Sequence, residues 1–229
     1  MWRVFVAAVL SFYLSSVQAE CTRHYRTIAL STAISDVSAV FLQRVMTEAH
    51  CQLIFVPYGL TNQRRLRLIA DGEIDVVAEA SRLPEREEYA WFSLPYRDEK
   101  TFLLGRRDDA AITNVRHVND VARLQLRILA PDGGWFGPEL QRERQTWRDL
   151  KLMVPFRDPA SGMRDLRLGR ANLLVATDAL NQQQLAAQLD LYVLPFIVHT
   201  EAVYLMFSKR TVSIQDVELI NKALQKVKL

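Results

Sequence analysis

From residue 25 to residue 80 the apolar positions change their spacing in a regular alternation. In "YRTIALST" β-branched and aromatic residues crowd together as in a strand, and in "SDVSAVFLQRVMTEAH" Val37, Val40, Phe41, Leu42 and Val45 return at helical spacing. "CQLIFVPY" then reads as a strand, "TNQRRLRLIADG" as a helix capped by Thr61 or Asn62 and stopped at Gly72, and "IDVVAEA" as a buried strand. The alternation recurs as strand "LQLRILAP", helix "GPELQRERQTWRDL", strand "KLMVPF", helix "SGMRDLRLG" and strand "ANLLVAT". "LYVLPF" and "TEAVYLMFSK" have strand character, and "SIQDVELINKALQKVKL" is an amphipathic helix opening at a Ser213 cap. Two successive α/β units predict two lobes, each a mixed, mostly parallel sheet flanked by helices.

"LRLIADGEIDVV" and "RDLRLGRANLLV" match internally: a Leu/Arg helix ends at Gly72 or Gly169, each expected as a left-handed C-cap, and a short step leads into an apolar strand. No Gly-, Pro- or Ser-rich linker separates the halves, so segments pass directly between the lobes and leave a cleft where small ligands bind. Residues 20–105 with 198–229 are expected to form lobe one, and residues 106–197 lobe two.

The N-terminus changes where this fold is placed. Arg3 precedes an apolar run from Val4 to Leu14, and Val17-Gln18-Ala19 closes it with small residues, the pattern of a signal peptide over 1–19 cleaved after Ala19. Periplasmic export follows, and Glu20 is the wrong neighbour for lipidation of Cys21. The chain's net charge of +3 falls to about +2 without Arg3, too balanced for a nucleic-acid partner. The two cysteines, Cys21 and Cys51, are expected to pair in an oxidising compartment.

Candidate chemistry gathers where "IDVVAEA" ends, since ligands of open parallel sheets sit at the strands' carboxyl ends. Glu79, Ser81, Arg82, Glu85 and Arg86 lie there, and Pro84 is suited to begin a helix with Arg86 in its first turn. A guanidinium so placed can grip a carboxylate with two parallel bonds, although "EREE" is also what a solvated helix start looks like. His24, His50, His117 and His199 lack a second ligand at metal spacing, no Gly-x-Ser-x-Gly surrounds a serine, and "GGWFG" lacks the Lys-Ser/Thr of a phosphate loop. No cofactor is implied. "RERQTWRD" reads as a solvated helix face with Trp147 turned to the core.

"DGEIDVVAEASRLPEREEYAWFSLPYRDEKTFLL" resembles the signature of the family 3 extracellular solute-binding proteins: Gly72, Asp75, Ser81, Pro84, Glu85, Arg86, Phe92, Ser93, Pro95 and Tyr96 fall in register. "LRILAPDGGWFGPEL", "LRLGRANLLVATDA" and "YLMFSK" extend the resemblance more loosely over nearly the whole mature chain. It implies a type II periplasmic binding protein fold. In an amino-acid binder of that family Arg86 would hold the ligand's α-carboxylate, Ser81 would hydrogen-bond near it, and the Gly133–Gly134 turn would present backbone N–H groups from lobe two, with Trp135 as a wall.

The sequence also departs from the family. Asn172 replaces the Asp of Gly-Arg-x-Asp, and five residues on, where an acid would hold the ligand's ammonium, stands Thr177, with Asp178 one place late. A one-residue slip turns a strand side chain to the other face, so either a turn returns Asp178 to the cleft or the amine site is lost. Tyr58 is the expected aromatic wall of lobe one. Glu79 either meets a cationic ligand group or pairs with Arg82 or Arg86. The resulting expectation is a monomeric, non-enzymatic binder of a small amino acid or related carboxylate that serves a membrane permease of ABC type or a sensor protein. The rivals are a dehydratase-like exported enzyme, with Glu79 as its acid or base, and a ligand-free interaction module.

Overall fold

The computed structural model describes residues 23–28, 37–56, 61–156, 158–178 and 185–227. In chain order the first part runs β1 (His24–Thr27), α1 (Val37–Glu48), β2 (Gln52–Phe55), α2 (Asn62–Asp71), β3 (Val76–Ala80), α3 (Pro84–Glu87), β4 (Ala90–Phe92) and β5 (Arg97–Arg106). A 3-10 turn (Ala110–Asn114) and α4 (Asp120–Arg123) lead to β6 (Ile128–Pro131), α5 (Pro138–Asp149), β7 (Met153–Phe156), α6 (Pro159–Arg167) and β8 (Leu173–Thr177). The chain closes with β9 (Leu191–Ser208) and α7 (Ile214–Leu224). Among the described residues no helix is long and apolar enough to cross a membrane.

Local sequence accounts for the ends of these elements. The Thr61 hydroxyl accepts the Arg64 N–H at 3.3 Å to open α2, and Gly72 closes it at φ 75°. Ser213 and Asp216 form a reciprocal capping box at α7. Gly169 has φ 73° beyond α6, as its match to Gly72 suggests.

"LYVLPF" and "TEAVYLMFSK" are halves of one strand. β9 crosses the molecule: its C-terminal half lies between β3 and β4, while the rest pairs antiparallel with β5, whose far end pairs with β8. Pro195 lacks the N–H that a continuous ladder needs, and the β5–β9 register shifts between Phe102 and Leu104 as the strand passes it. β8, β6 and β7 complete a mixed sheet, and β1 pairs with β2.

Alternation along these strands distributes the core. Val76 and Phe207 face Phe41, Met46 and Ile220 on one side, while Val77 and Met206 face Leu68, Ile69 and Ile74 on the other. In the second half, Leu103, Leu173 and Val175 pack on Trp147 and Leu140, whereas Phe102, Leu104 and Leu174 pack on Met163 and Leu166. β5 and β9 thus run from one pair of cores to the other. The charged start of β5, Arg97 to Lys100, and the charged middle of β9, His199 to Glu201, lie between.

Candidate functional site

The exit of β3 is bulged. Val77 stands opposite Met206 but Ala80 opposite Tyr204, so β3 holds one extra residue between them. Glu79 absorbs it at φ 54°, a left-handed conformation that costs a non-glycine residue on the order of 1–2 kcal/mol. Its freed N–H donates to the Tyr96 hydroxyl oxygen at 2.8 Å, and its carboxylate accepts from Ser38 Oγ at 2.5 Å and pairs with Arg97 at 3.0 Å. The expected pairing with Arg82 or Arg86 is therefore corrected. The bulge re-aims Glu79 toward β5, and Arg82 pairs with exposed Glu87 instead.

Arg97 gathers three carboxylates. Its Nη2 meets Glu99 at 2.5 Å and Glu79 at 3.0 Å, and its Nη1 meets Asp178 at 3.2 Å. Arg97 and Glu99 are two residues apart in β5 and share a face. Asp178 arrives from the end of β8: Thr177 is buried opposite Thr101, and Asp178 N–H then donates to the Lys100 carbonyl at 3.0 Å. Its side chain, turned inward, accepts the Lys100 N–H at 3.1 Å. The end of the strand thus brings Asp178 into the cluster despite the slip in sequence. Burial first, and then repulsion from Glu79, push the Glu99 carboxyl up to about 7 against the pull of Arg97. Burial would lower the Arg97 pKa, but Glu99 and Glu79 outweigh it and raise it.

A second constellation lies beside it. Pro84 starts α3, which turns Arg86 back so that its Nη1 donates to the Ser81 carbonyl at 2.9 Å, with both residues 7% exposed. Ser81 Oγ donates to Glu201 Oε1 at 2.8 Å. Glu201, opposite Glu99 across the β5–β9 pairing, also accepts a hydrogen bond from the Trp135 side chain, stands 3.9 Å from His199 Nε2, and lies in the field of Arg86. Burial pushes the Glu201 carboxyl up while Ser81, His199, Arg86 and Trp135 pull it down.

The turn before α5 covers this region. Asn62 Nδ2 donates to the Gly133 carbonyl at 3.4 Å, and a Cβ on Gly133 would lie 3.2 Å from the Gln63 nitrogen. The start of α2 and the glycine turn touch because neither glycine carries a side chain, and Gly134, at φ 98°, also needs its freedom of backbone. One turn further along α2, Arg65 has Nε and Nη1 shielded from solvent without a hydrogen-bond partner among the described residues. Its burial lowers its pKa, while Glu79 and Glu99 act on it in the opposite sense.

The structure thus brings together Glu79 with Asp178, and Ser81 with Arg86 and Trp135, and it sets Gly133 and Gly134 on α2. Tyr58 and Cys21 lie outside the described residues, and Cys51 is buried behind α1. The solvated face expected for "RERQTWRD" is corrected at Arg144, which is 3% exposed: its guanidinium lies over the Phe136 ring and donates to the Gly134 carbonyl at 3.4 Å. Arg65, Arg97, Glu99 and Glu201 escaped sequence reasoning. Their one visible signal was the run of four charges, Arg97 to Lys100, leading into the apolar run "TFLLG".

The family model of bacterial extracellular solute-binding proteins, family 3, matches residues 36–229. A search of curated proteins finds no match. Among solved structures, the arginine-bound form of truncated ArgBP from T. maritima superposes with a TM-score of 0.71 at 18% identity, covering 90% of this chain and 96% of that one. The ancestral amino acid-binding protein AncCDT-1, a precursor of cyclohexadienyl dehydratase, gives 0.69 at 17% identity over 89% and 88%. A histidine kinase sensor domain with similarity to periplasmic binding proteins gives 0.63 at 14% over 82% and 78%. These likenesses establish the two-lobed type II periplasmic binding fold.

Proposed function

The chain belongs to the bacterial extracellular solute-binding proteins, family 3, and from that premise we propose that it captures a small polar solute, an amino acid or related carboxylate, between its two lobes. The observation that carries this is the meeting, on one carboxylate, of Ser81 from the exit of β3 and Trp135 from the turn before α5, with Arg86 acting on it electrostatically. A carboxylate is what this anchor is shaped for. The neighbouring cluster of Glu79, Glu99 and Asp178 suits an ammonium or guanidinium group, so the pair matches the two ends of an amino acid. Closure over the solute excludes water, strengthens both interactions, and offers a composite surface to a membrane partner. That partner is a permease or a sensor; the arginine-binding and histidine-kinase likenesses are compatible with one each.

The mature protein is placed in the periplasm, with the signal peptide removed after Ala19, lobe one spanning 20–105 and 198–229, lobe two spanning 106–197, and Cys21 paired with Cys51. A thermal-shift panel of amino acids, small carboxylates, polyamines and short peptides tests the reading. A solute at 100 times its Kd stabilises by about 2.7 kcal/mol, a clear rise in Tm. A panel without one shift in the wild type speaks for the interaction-module alternative.

A second reading, catalysis, draws on Glu99: a carboxyl pushed up to about 7 in a cleft has the proton affinity of a general acid or base. The likeness to a dehydratase precursor gives it a context. Turnover of a bound solute that disappears in Glu99→Gln while affinity survives would favour it.

A further inference from the structure

Four groups converge on the Glu201 carboxylate. Ser81 Oγ donates to Oε1 at 2.8 Å, the Trp135 side chain donates as well, His199 Nε2 lies 3.9 Å from Oε2, and Arg86 faces it electrostatically. These groups come from β3's exit, the turn before α5, β9 itself and α3. Such a set of donors and cations, drawn from separate elements, is how a protein holds a ligand carboxylate. Here the carboxylate belongs to the chain.

We propose that Glu201 is a specificity-determining residue of the cleft: it occupies the Ser81–Arg86–Trp135 anchor as an internal ligand, and a solute carboxylate binds there only by displacing it. This rests on the solute-binding reading and names the class of solute the cleft selects.

Glu201 stands directly opposite Glu99 on the antiparallel partner strand, which sets the anchor beside the Arg97 cluster. Arg86 donates to the Ser81 carbonyl at 2.9 Å, and Glu201 acts on it electrostatically together with Tyr89 and Glu85, while Glu87 pairs with Arg82. Because Glu201 is tethered, its effective concentration at the anchor is on the order of millimolar or more, and a solute offering only a carboxylate competes poorly. A solute wins when it brings a second contact. The cluster of Glu79, Glu99 and Asp178 about Arg97 offers one to a cationic group. The selected class is therefore zwitterionic or cationic carboxylates, with simple acids rejected.

Glu201→Ala vacates the anchor, and acetate is the probe that fills it. In the variant, sodium acetate at tens of millimolar raises Tm by about 3 °C over sodium chloride of equal ionic strength. The same salt leaves the wild type and the Glu201→Ala/Arg86→Ala double variant at their chloride values. Should Glu201→Ala fold only in acetate, the proposal is supported; should it not fold at all, Glu201→Ser is read in the same way. An acetate shift equal in wild type and variant, or absent from a folded variant, overturns the proposal. No natural solute enters this test, so it fails or succeeds independently of the panel that tests the solute-binding reading.

Discussion

Glu99→Gln should change the pH dependence of stability more than any other single substitution in the cleft. The Glu99 side chain is 15% exposed and meets Arg97 Nη2 at 2.5 Å, but shares that nitrogen with Glu79 while Asp178 holds Nη1. Burial and this crowding lift its carboxyl from 4.5 to about 7. The folded state therefore holds the proton more tightly than the unfolded chain does, and the stability so gained is fully present below about pH 4.5 and is lost as pH rises through 7. At 1.36 kcal/mol for each pH unit of difference, the ceiling is about 3 kcal/mol, and sharing the proton with its neighbours reduces the expected loss to about 2 kcal/mol. Urea unfolding followed by circular dichroism at pH 5, 6, 7 and 8 measures it. The wild type should weaken steadily over this range, and Glu99→Gln, which keeps an oxygen for Arg97 and has no proton to lose, should be nearly level. A residual slope belongs to Glu201, whose carboxyl burial also pushes up. Equal slopes in the two proteins would refute the placement of Glu99 in the cluster.

Other substitutions report on other parts of the structure. Arg97→Met strips the counter-ion from Glu79, Glu99 and Asp178 and should cost about 3–5 kcal/mol at pH 8, part of it recovered at pH 5, by the same urea assay. Arg65→Met removes a guanidinium whose Nε and Nη1 lack hydrogen-bond partners among the described residues, so ligand-free stability should be unchanged or rise by about 1 kcal/mol, read from the urea midpoint. Trp147→Ala empties a fully buried site and should cost about 3–5 kcal/mol, with a loss of near-ultraviolet dichroism from the second core. Intact mass before and after reduction should show Cys21 and Cys51 joined, and reduction should cost about 3 kcal/mol.

The alternating units, the Thr61, Gly72 and Ser213 caps and the helix that Pro84 begins were legible because each depends on residues within a few positions of one another. What local pattern concealed depends on the crossing of β5 and β9. Glu99 and Glu201 are about a hundred residues apart and become neighbours only through strand register. Glu79's partner was concealed for a related reason: a bulge turns the side chain away from the arginines next to it in sequence. Arg144 sits among "RERQTWRD" like a solvent-facing charge, and only the fold of the glycine turn over α5 encloses it. Asp178 shows the converse, since a departure from the family spacing that seemed to remove an acid is absorbed where β8 ends.

Calorimetric titration of the mature wild type and of Arg86→Ala, with the solute that the thermal-shift panel selects, tests the central claim most directly. One solute per chain should bind the wild type, and loss of the buried guanidinium should weaken it by about 2–5 kcal/mol, a factor of about 30 to 5,000 in Kd. A solute that binds both proteins equally would place its site away from the cleft between β3, β9 and the glycine turn, and would contradict the account.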